Sequence, residues 1–285
     1  MRVPARFRTL VTRALRPVLA ALDRRFERLA ARLELHTTNL AEVQRREIGR
    51  IDRFTYYPRW SEDGRGILAL VEQDRDTWLA RFDAETGSVS YKTDGAAFVS
   101  AFALGPDGKL AALEADNNHP ARLFALDGNS RLLADPNPWL EDKALADTRD
   151  ISFPSSDGTE IHGLLVTPRA GNVPEGTRPP LLVRVHGGPV YQYSHEFMED
   201  WQVFAAHGYA VLAVNPRGSS GRGFDFSRAI YADWGNKDVA DVRAGIDWVL
   251  AQGLADPHRI GVGGWSYGGF LTNYLIASEP RRPSS

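Results

Sequence analysis

Gly264, Ser266 and Gly268 stand in the pattern G-x-S-x-G. The apolar run 260–264 precedes the serine and reads as a short buried strand. Phe270, Leu271, Tyr274 and Leu275 follow it at helical spacing. The reading is a strand, a sharp turn with a serine at its tip, and a helix. Such a turn lifts the Ser266 hydroxyl out of a sheet, and its glycines let strand and helix come close. The helix start then offers N–H groups and the positive end of its dipole to a developing oxyanion. That fits nucleophilic acyl transfer. The five-residue pattern alone is unspecific in a chain with 26 glycines, so its placement between strand and helix carries the weight. Two other readings rank below it. One is a glycine-rich turn that only packs. The other is a dinucleotide fingerprint opening at Gly261 and Gly263, which needs a Gly or Ala where Ser266 stands and an acidic residue about 20 positions on.

Two further polar stretches end predicted strands. His186-Gly187-Gly188-Pro189 follows the run 181–185, which is apolar except for Arg184. Asn215-Pro216-Arg217-Gly218-Ser219-Ser220-Gly221 follows the run 209–214. A helix is predicted over 197–206. Another carries Val239, Val242, Ile246, Val249 and Leu250 on one face, with Asp238 near its start. Ser156-Asp157-Gly158 reads as the turn of a hairpin between 151–153 and 160–166. Alternating strands and helices predict a mostly parallel sheet covered on both faces, an α/β architecture over 146–285. Chemistry in such sheets gathers at the C-terminal strand ends, where all three polar stretches fall.

Over 51–145 the hydrophobic period changes to two. Strands are predicted at 66–72, 77–82, 88–92, 98–104, 110–114 and 122–126. There is also a repeat. Ser61-Glu62-Asp63-Gly64-Arg65 recurs as Gly105-Pro106-Asp107-Gly108-Lys109, and Trp78–Asp83 recurs as Arg122–Asp127, each 44 positions on (107 − 63 and 127 − 83). A four-stranded unit of that length reads as a propeller blade, and two copies as a partial propeller, ahead of a small open sandwich. Asp135-Pro136-Asn137-Pro138 ends the second copy. Residues 1–50 are rich in Arg, Ala and Leu. Leu15, Leu19, Leu22, Phe26, Leu29 and Leu33, continued by Leu40 and Val43, form a heptad seam. A helix lying on the chain's own body, or a chance pattern, ranks ahead of a partner or membrane-surface helix.

The 285 residues suffice for one large or two ordinary domains, and 43% are hydrophobic. A net charge of −2 implies no polyelectrolyte partner, so no nucleic acid. The chain has no cysteine, which excludes disulfides and thiolate metal sites. There is no apolar run of membrane-span length and no secretory h-region, so a cytoplasmic protein is expected. There is no Walker loop, metal-ligand cluster or complete nucleotide fingerprint, so no cofactor is expected.

The strings H-G-G-P at 186–189, N-P-R-G-S-S-G at 215–221, W-G-N-K-D-V-A-D-V at 234–242 and G-W-S-Y-G-G at 264–269, in this order and spacing, resemble the prolyl oligopeptidase family of serine peptidases, especially its acylaminoacyl-peptidase and dipeptidyl-peptidase-like branch. The resemblance covers about 150–280 closely and 55–135 loosely. It implies an α/β-hydrolase domain preceded by a propeller, and hydrolysis of short peptides or acyl-peptides. Ser266 would be the nucleophile. The N–H of Tyr267, with one from the His186-Gly187-Gly188 turn (Gly188 first), would form the oxyanion hole. Arg217 would serve loop architecture or touch substrate.

One feature departs from that pattern. α/β-Hydrolases carry their triad in the order Ser, Asp, His. The 19 residues after Ser266 (285 − 266) hold no Asp and no His, and the histidines, at 36, 119, 162, 186, 195, 207 and 258, all precede it. His186 is a tempting substitute base, but in the family its place belongs to the oxyanion turn. The expectation is an incomplete hydrolase domain, inactive as this chain, with an open apolar sheet edge. Self-association is expected through 15–43 or that edge. A non-catalytic interaction protein and an esterase on the same scaffold are the competing readings.

Overall fold

The computed structural model describes residues 48–49 and 51–278. The predicted seam over 15–43 and the tail 279–285 lie outside them.

The period-two region forms two antiparallel meanders. The first is β1 (Thr55–Trp60), β2 (Gly66–Gln73), β3 (Asp76–Asp83) and β4 (Val89–Tyr91). The second is β5 (Phe98–Leu104), β6 (Leu110–Ala115), β7 (Arg122–Ala125) and β8 (Arg131–Ala134). One residue pair, Thr77 with Phe98, joins β3 to β5 and makes a single eight-stranded sheet. The repeated Asp-Gly turns are local necessities. Gly64 (φ 65°) and Gly108 (φ 70°) are left-handed where each chain reverses between outer and next strand. Leu68, Leu70, Leu79, Val99, Leu110 and Ala112 form the core between the meanders. Sequence reading missed β1 and β8. Both are fully exposed along their length, so neither alternates. Pro58 sits in β1 without penalty because that strand lies at an edge, with an irregular register between Tyr56 and Arg59. A short 3-10 helix, Pro138–Asp142, occupies the proline-rich stretch.

A five-stranded sheet follows. Its strands are β9 (Asp147–Pro154), β10 (Glu160–Thr167), β11 (Leu181–Val185), β12 (Ala210–Asn215) and β13 (Ile260–Gly264), in the order β13-β11-β12-β10-β9. β11 is parallel to both β12 and β13, whereas β10 is antiparallel to β12 and to β9. The sheet is therefore mixed rather than mostly parallel. The predicted hairpin supplies the antiparallel limb, because its tight turn (Ser155 N–H to Thr159 O, 2.7 Å) returns the chain beside itself.

Four helices pack on it: α1 (Glu199–Ala206), α2 (Phe224–Arg228), α3 (Lys237–Ala251) and α4 (Tyr267–Ser278). Trp201 and Ala205 of α1 cover Leu164, Val166, Val211 and Ala213 on one face. Val239, Val242 and Val249 of α3, with Leu271 and Leu275 of α4, cover Val183, Leu212 and Val214 on the other. Each fully buried aliphatic side chain contributes about 1.5–3 kcal/mol, so this double cover fixes strand order and register. β13 was expected to be buried. Among the described residues it is an edge strand, with Ile260 39% exposed, because a neighbour lies on one side only. None of the described helices is long and apolar enough to cross a membrane.

The two sheets touch at the tip of the β2–β3 hairpin. Gln192 Nε2 donates to Gln73 O (2.8 Å) and Asp76 O (2.9 Å), while its Oε1 accepts from the Arg75 N–H (3.1 Å).

Candidate active site

β13 ends at Gly264 and α4 begins at Tyr267, so Trp265 and Ser266 make the whole turn. Ser266 has φ 58°, a left-handed backbone that a non-glycine residue adopts at a cost of about 1–2 kcal/mol. Its side chain is exposed. The surroundings enforce this shape. A Cβ on Gly264 would lie 2.3 Å from Val185 O, and one on Gly268 would lie 2.1 Å from the same oxygen. The elbow is thus clamped against the end of β11. Its neighbour there is the turn 186–188: a Cβ on Gly187 would stand 3.6 Å from Ser266 Cβ and 3.5 Å from Trp265 O. Parallel pairing of β11 with β13, Val185 opposite Gly264, brings the two polar stretches together.

N–H groups are available around the serine. Among the described residues, neither the Tyr267 N–H nor the Gly188 N–H has a hydrogen-bond acceptor, and the Ser266 hydroxyl has no partner. Tyr267 opens α4, where the first N–H groups lack intrahelical acceptors.

A buried layer beneath holds these pieces, and most of it belongs to α3. Asp238 is fully buried. It accepts from Gly235 N–H (2.8 Å), Val239 N–H (2.9 Å) and the Tyr267 hydroxyl (2.5 Å). Burial, then the hydrogen bond and charge of Asp238, push the Tyr267 phenol far above its usual range. The Trp234 ring meets Tyr267 edge-on at 5.2 Å. One turn further along α3, fully buried Asp241 takes the Arg217 guanidinium in a two-pronged contact, Nε at 2.9 Å and Nη2 at 2.6 Å. The remaining donors of Arg217 go to Asp157, Thr159 and Ser155. The structure thus places Arg217 in the loop, tying 215–221 to α3 and to the β9–β10 turn, with its guanidinium fully engaged by protein groups. Tyr267→Phe should cost about 1–3 kcal/mol in urea unfolding, since it strips a donor from a buried carboxylate.

His186 lies deep in the turn, 3% exposed. Its Nδ1–H donates to Gly187 O (2.7 Å), and the Ser219 hydroxyl stands 2.9 Å from Nε2. The rings of Tyr193 (5.4 Å) and Tyr191 (5.8 Å) pack edge-on against it. Burial lowers its pKa to about 4, so the ring is neutral at pH 7. The unfolded ring takes up a proton from about pH 6.5 downward, while the folded one resists to about pH 4. His186 therefore contributes stability that is present above pH 6.5 and drains away as the pH falls toward 4. His186→Asn should flatten that part of the profile, by about 3 kcal/mol at full acidification, in denaturant titrations at several pH values. Of the other described histidines, His119 is engaged with Asp116, His162 with Asp74 and Glu160, His195 with Asp76 and Asp150, and His207 with Val203 O, while the backbone N–H of His258 donates to Asp256. No hydrogen bond joins any of them to Ser266.

Sequence reading placed Asp238 only as a charge near a helix start, and it gave Asp241, Ser219, Tyr191 and Tyr193 no role. A signal was available in the i, i+3 spacing of two aspartates on the face that also carries Val239 and Val242. A charge on an apolar face asks for a buried partner.

A sequence model of the prolyl oligopeptidase family matches residues 195–282. The uncharacterized peptidase YuxL of Bacillus subtilis (strain 168) is 30% identical over 229 residues, 79% of this chain and 34% of that protein. The acylamino-acid-releasing enzyme of Sus scrofa is 36% identical over 224 residues, 77% of this chain and 27% of that protein. Among solved structures, the acylaminoacyl peptidase of Pyrococcus horikoshii superposes with a TM-score of 0.73 at 29% identity, covering 80% of this chain and 36% of that one. An acylaminoacyl peptidase in complex with Z-Gly-Gly-Phe-chloromethyl ketone gives 0.72 at 30% identity, with the same coverage. The chain spans about a third of the length of these relatives.

Proposed function

We propose, from the match of residues 195–282 to the prolyl oligopeptidase family and the likeness to its peptidases, that Ser266 is the nucleophile of a serine peptidase site. The site would transfer the acyl group of a short peptide or acyl-peptide. The observation that carries this is the left-handed φ of 58° at an exposed serine, held by two glycines that admit no Cβ. A packing turn needs no serine in that conformation. The Ser266 Oγ would bond the carbonyl carbon as the C=O π pair moves onto oxygen, which would lie between the Tyr267 and Gly188 N–H groups, and a base would take the hydroxyl proton and return it to the amine that leaves as the C–N bond breaks. The acylaminoacyl peptidase neighbours support peptide chemistry of this class. An esterase on the same scaffold is the narrower alternative.

The two meanders, 51–145, are read as blades of a propeller, and 146–285 as the hydrolase domain bearing the site, in a cytoplasmic protein. Support for blades is the 44-residue repeat together with the single Thr77–Phe98 link between two four-stranded units.

A second reading rests on its own observation. Ser266 has no hydrogen-bonded base among the described residues, and a hydroxyl without one is a poor nucleophile. A base contributed by another chain, or encoded further downstream, would complete the site. Without one, the chain serves binding, with self-association through the open β13 edge as one route.

Labelling with a fluorophosphonate probe decides between them. The peptidase reading expects labelling of the 285-residue chain that disappears in Ser266→Ala. A folded chain that does not label, alone or at high concentration, would leave the binding reading standing.

A further inference from the structure

The β2–β3 hairpin turns on Asp74 and Arg75, with Gln73 paired to Asp76. Arg75 has φ 65°, an unusual conformation for a long side chain. This tip enters a socket on the five-stranded side. Besides the three bonds that involve Gln192, two donated and one accepted, His195 N–H donates to Arg75 O at 2.7 Å. A Cβ on Gly221 would lie 2.8 Å from Gln73 O, so the loop 215–221 closes tightly over the tip.

The centre of the socket is His195, 5% exposed. Its Nδ1 lies 2.7 Å from Asp76 on the hairpin, and its Nε2 lies 2.9 Å from Asp150 on β9. Both ring nitrogens face carboxylates, so both must donate for the contacts to be satisfied, which only the imidazolium does. A neutral ring leaves one nitrogen lone pair against a carboxylate inside the seam.

We propose that His195 is a pH-operated latch between the two sheets: protonated, it ties the β2–β3 hairpin to β9, and deprotonated, it lets the hairpin tip disengage.

The surrounding charges favour this. Arg75 Nη1 reaches Asp150 at 3.1 Å and Nη2 reaches Asp74 at 3.1 Å. His162 bridges Asp74 and Glu160 next door, and Arg222 Nη1 caps Glu160 O at 2.6 Å. Glu196 faces Tyr191 instead. Asp74, Asp76, Asp150 and Glu160 thus meet Arg75 and Arg222, so the seam carries two uncompensated negative charges when both histidines are neutral. Burial disfavours a charged His195, but Asp76 and Asp150 outweigh it and hold the proton above the ordinary histidine range. The released ring titrates at about 6.5. The latch is therefore fully engaged below that pH and weakens as the pH rises through the raised value. The socket adjoins the candidate site. Tyr193, two residues before His195, packs on His186, and its backbone is pinned by Asn215 (2.8 and 2.9 Å) at the end of β12.

Hydrogen exchange, corrected for intrinsic rates, tests this without any need for catalysis. In the wild-type chain, protection of segments 73–77 and 192–196 should fall several-fold between pH 6 and pH 8.5, while that of β11 and β12 stays level. His195→Gln should show the low protection at both values. Should that variant fail to fold, Asp150→Asn, at a half-exposed position, should move the transition to lower pH. Equal wild-type protection at both values overturns the proposal, as does a wild-type pH response in His195→Gln or an unshifted one in Asp150→Asn. Failure to label Ser266 would bear on the peptidase reading alone.

Discussion

Arg217→Ala is expected to cost about 3–5 kcal/mol, a large part of the stability of a domain this size. Asp241 is fully buried, and its partners are the Arg217 guanidinium, the Arg217 N–H (2.8 Å) and the Ser155 hydroxyl (2.5 Å). Truncation leaves a carboxylate inside the protein with no opposite charge. The Asp157 contact adds little, since Asp157 is about half exposed and screened by water. Urea unfolding followed by tryptophan fluorescence measures the loss. The double replacement Arg217→Met with Asp241→Leu separates charge from shape. It should recover much of the loss, because removing both ions also removes their desolvation cost. A cost below about 1 kcal/mol for the single variant would show that Arg217 does not hold this loop.

Gly268→Ala should be comparably severe, about 3 kcal/mol or more, for a steric reason. The new methyl carbon would lie 2.1 Å from Val185 O, 2.8 Å from Val185 C and 2.9 Å from His186 O. All three are main-chain atoms at the end of β11, so no side chain can swing aside. Relief requires α4 to shift, which carries Ser266 and Tyr267 away from the 186–188 turn. Gly269→Ala is the control. Its Cβ would lie 3.3 Å from Gly264 O, and alanine's better helix propensity offsets up to about 1 kcal/mol. The pair should therefore differ sharply both in melting temperature and in labelling of Ser266. Equal behaviour would show that the elbow is not clamped against β11.

These sites also show what the sequence could reveal. G-x-S-x-G between an apolar run and a helical stripe was legible, because strand, turn and helix are local features with residue preferences of their own. The hairpin at 156–158 was legible for the same reason, as was the alternation in 66–72 and 77–82. Sheet order was not. Whether β10 pairs with β12 in the antiparallel sense depends on which long-range partner buries Leu164 and Val166 best, and periodicity is silent on partners. The partner of Arg217 was hidden in the same way, since Asp241 follows it by 24 positions and meets it only once α3 has docked. β1 and β8 escaped because exposure on both faces removes the alternation that identifies a strand. The histidines gave a mixed lesson. Their positions in the sequence raised the question of a base, and the family resemblance already put His186 in a turn, but only geometry assigned His195 to a seam.

The pairing of β11 with β13 has a consequence in time. Asp147–Pro154 and Glu160–Thr167 close across a five-residue turn, 155–159, a contact reached early in folding. β12 finds β11 across 29 positions (210 − 181), whereas β13 must cross 79 (260 − 181) to lie beside the same strand. Loop-closure entropy grows with that separation, so the longest-range pairing forms last. Vectorial synthesis pushes the same way, because Ile260–Gly264 emerges after every other strand described. Ser266 therefore spends the early history of each chain as an ordinary flexible serine. It acquires its strained backbone only when β13 pairs with β11 against Val185.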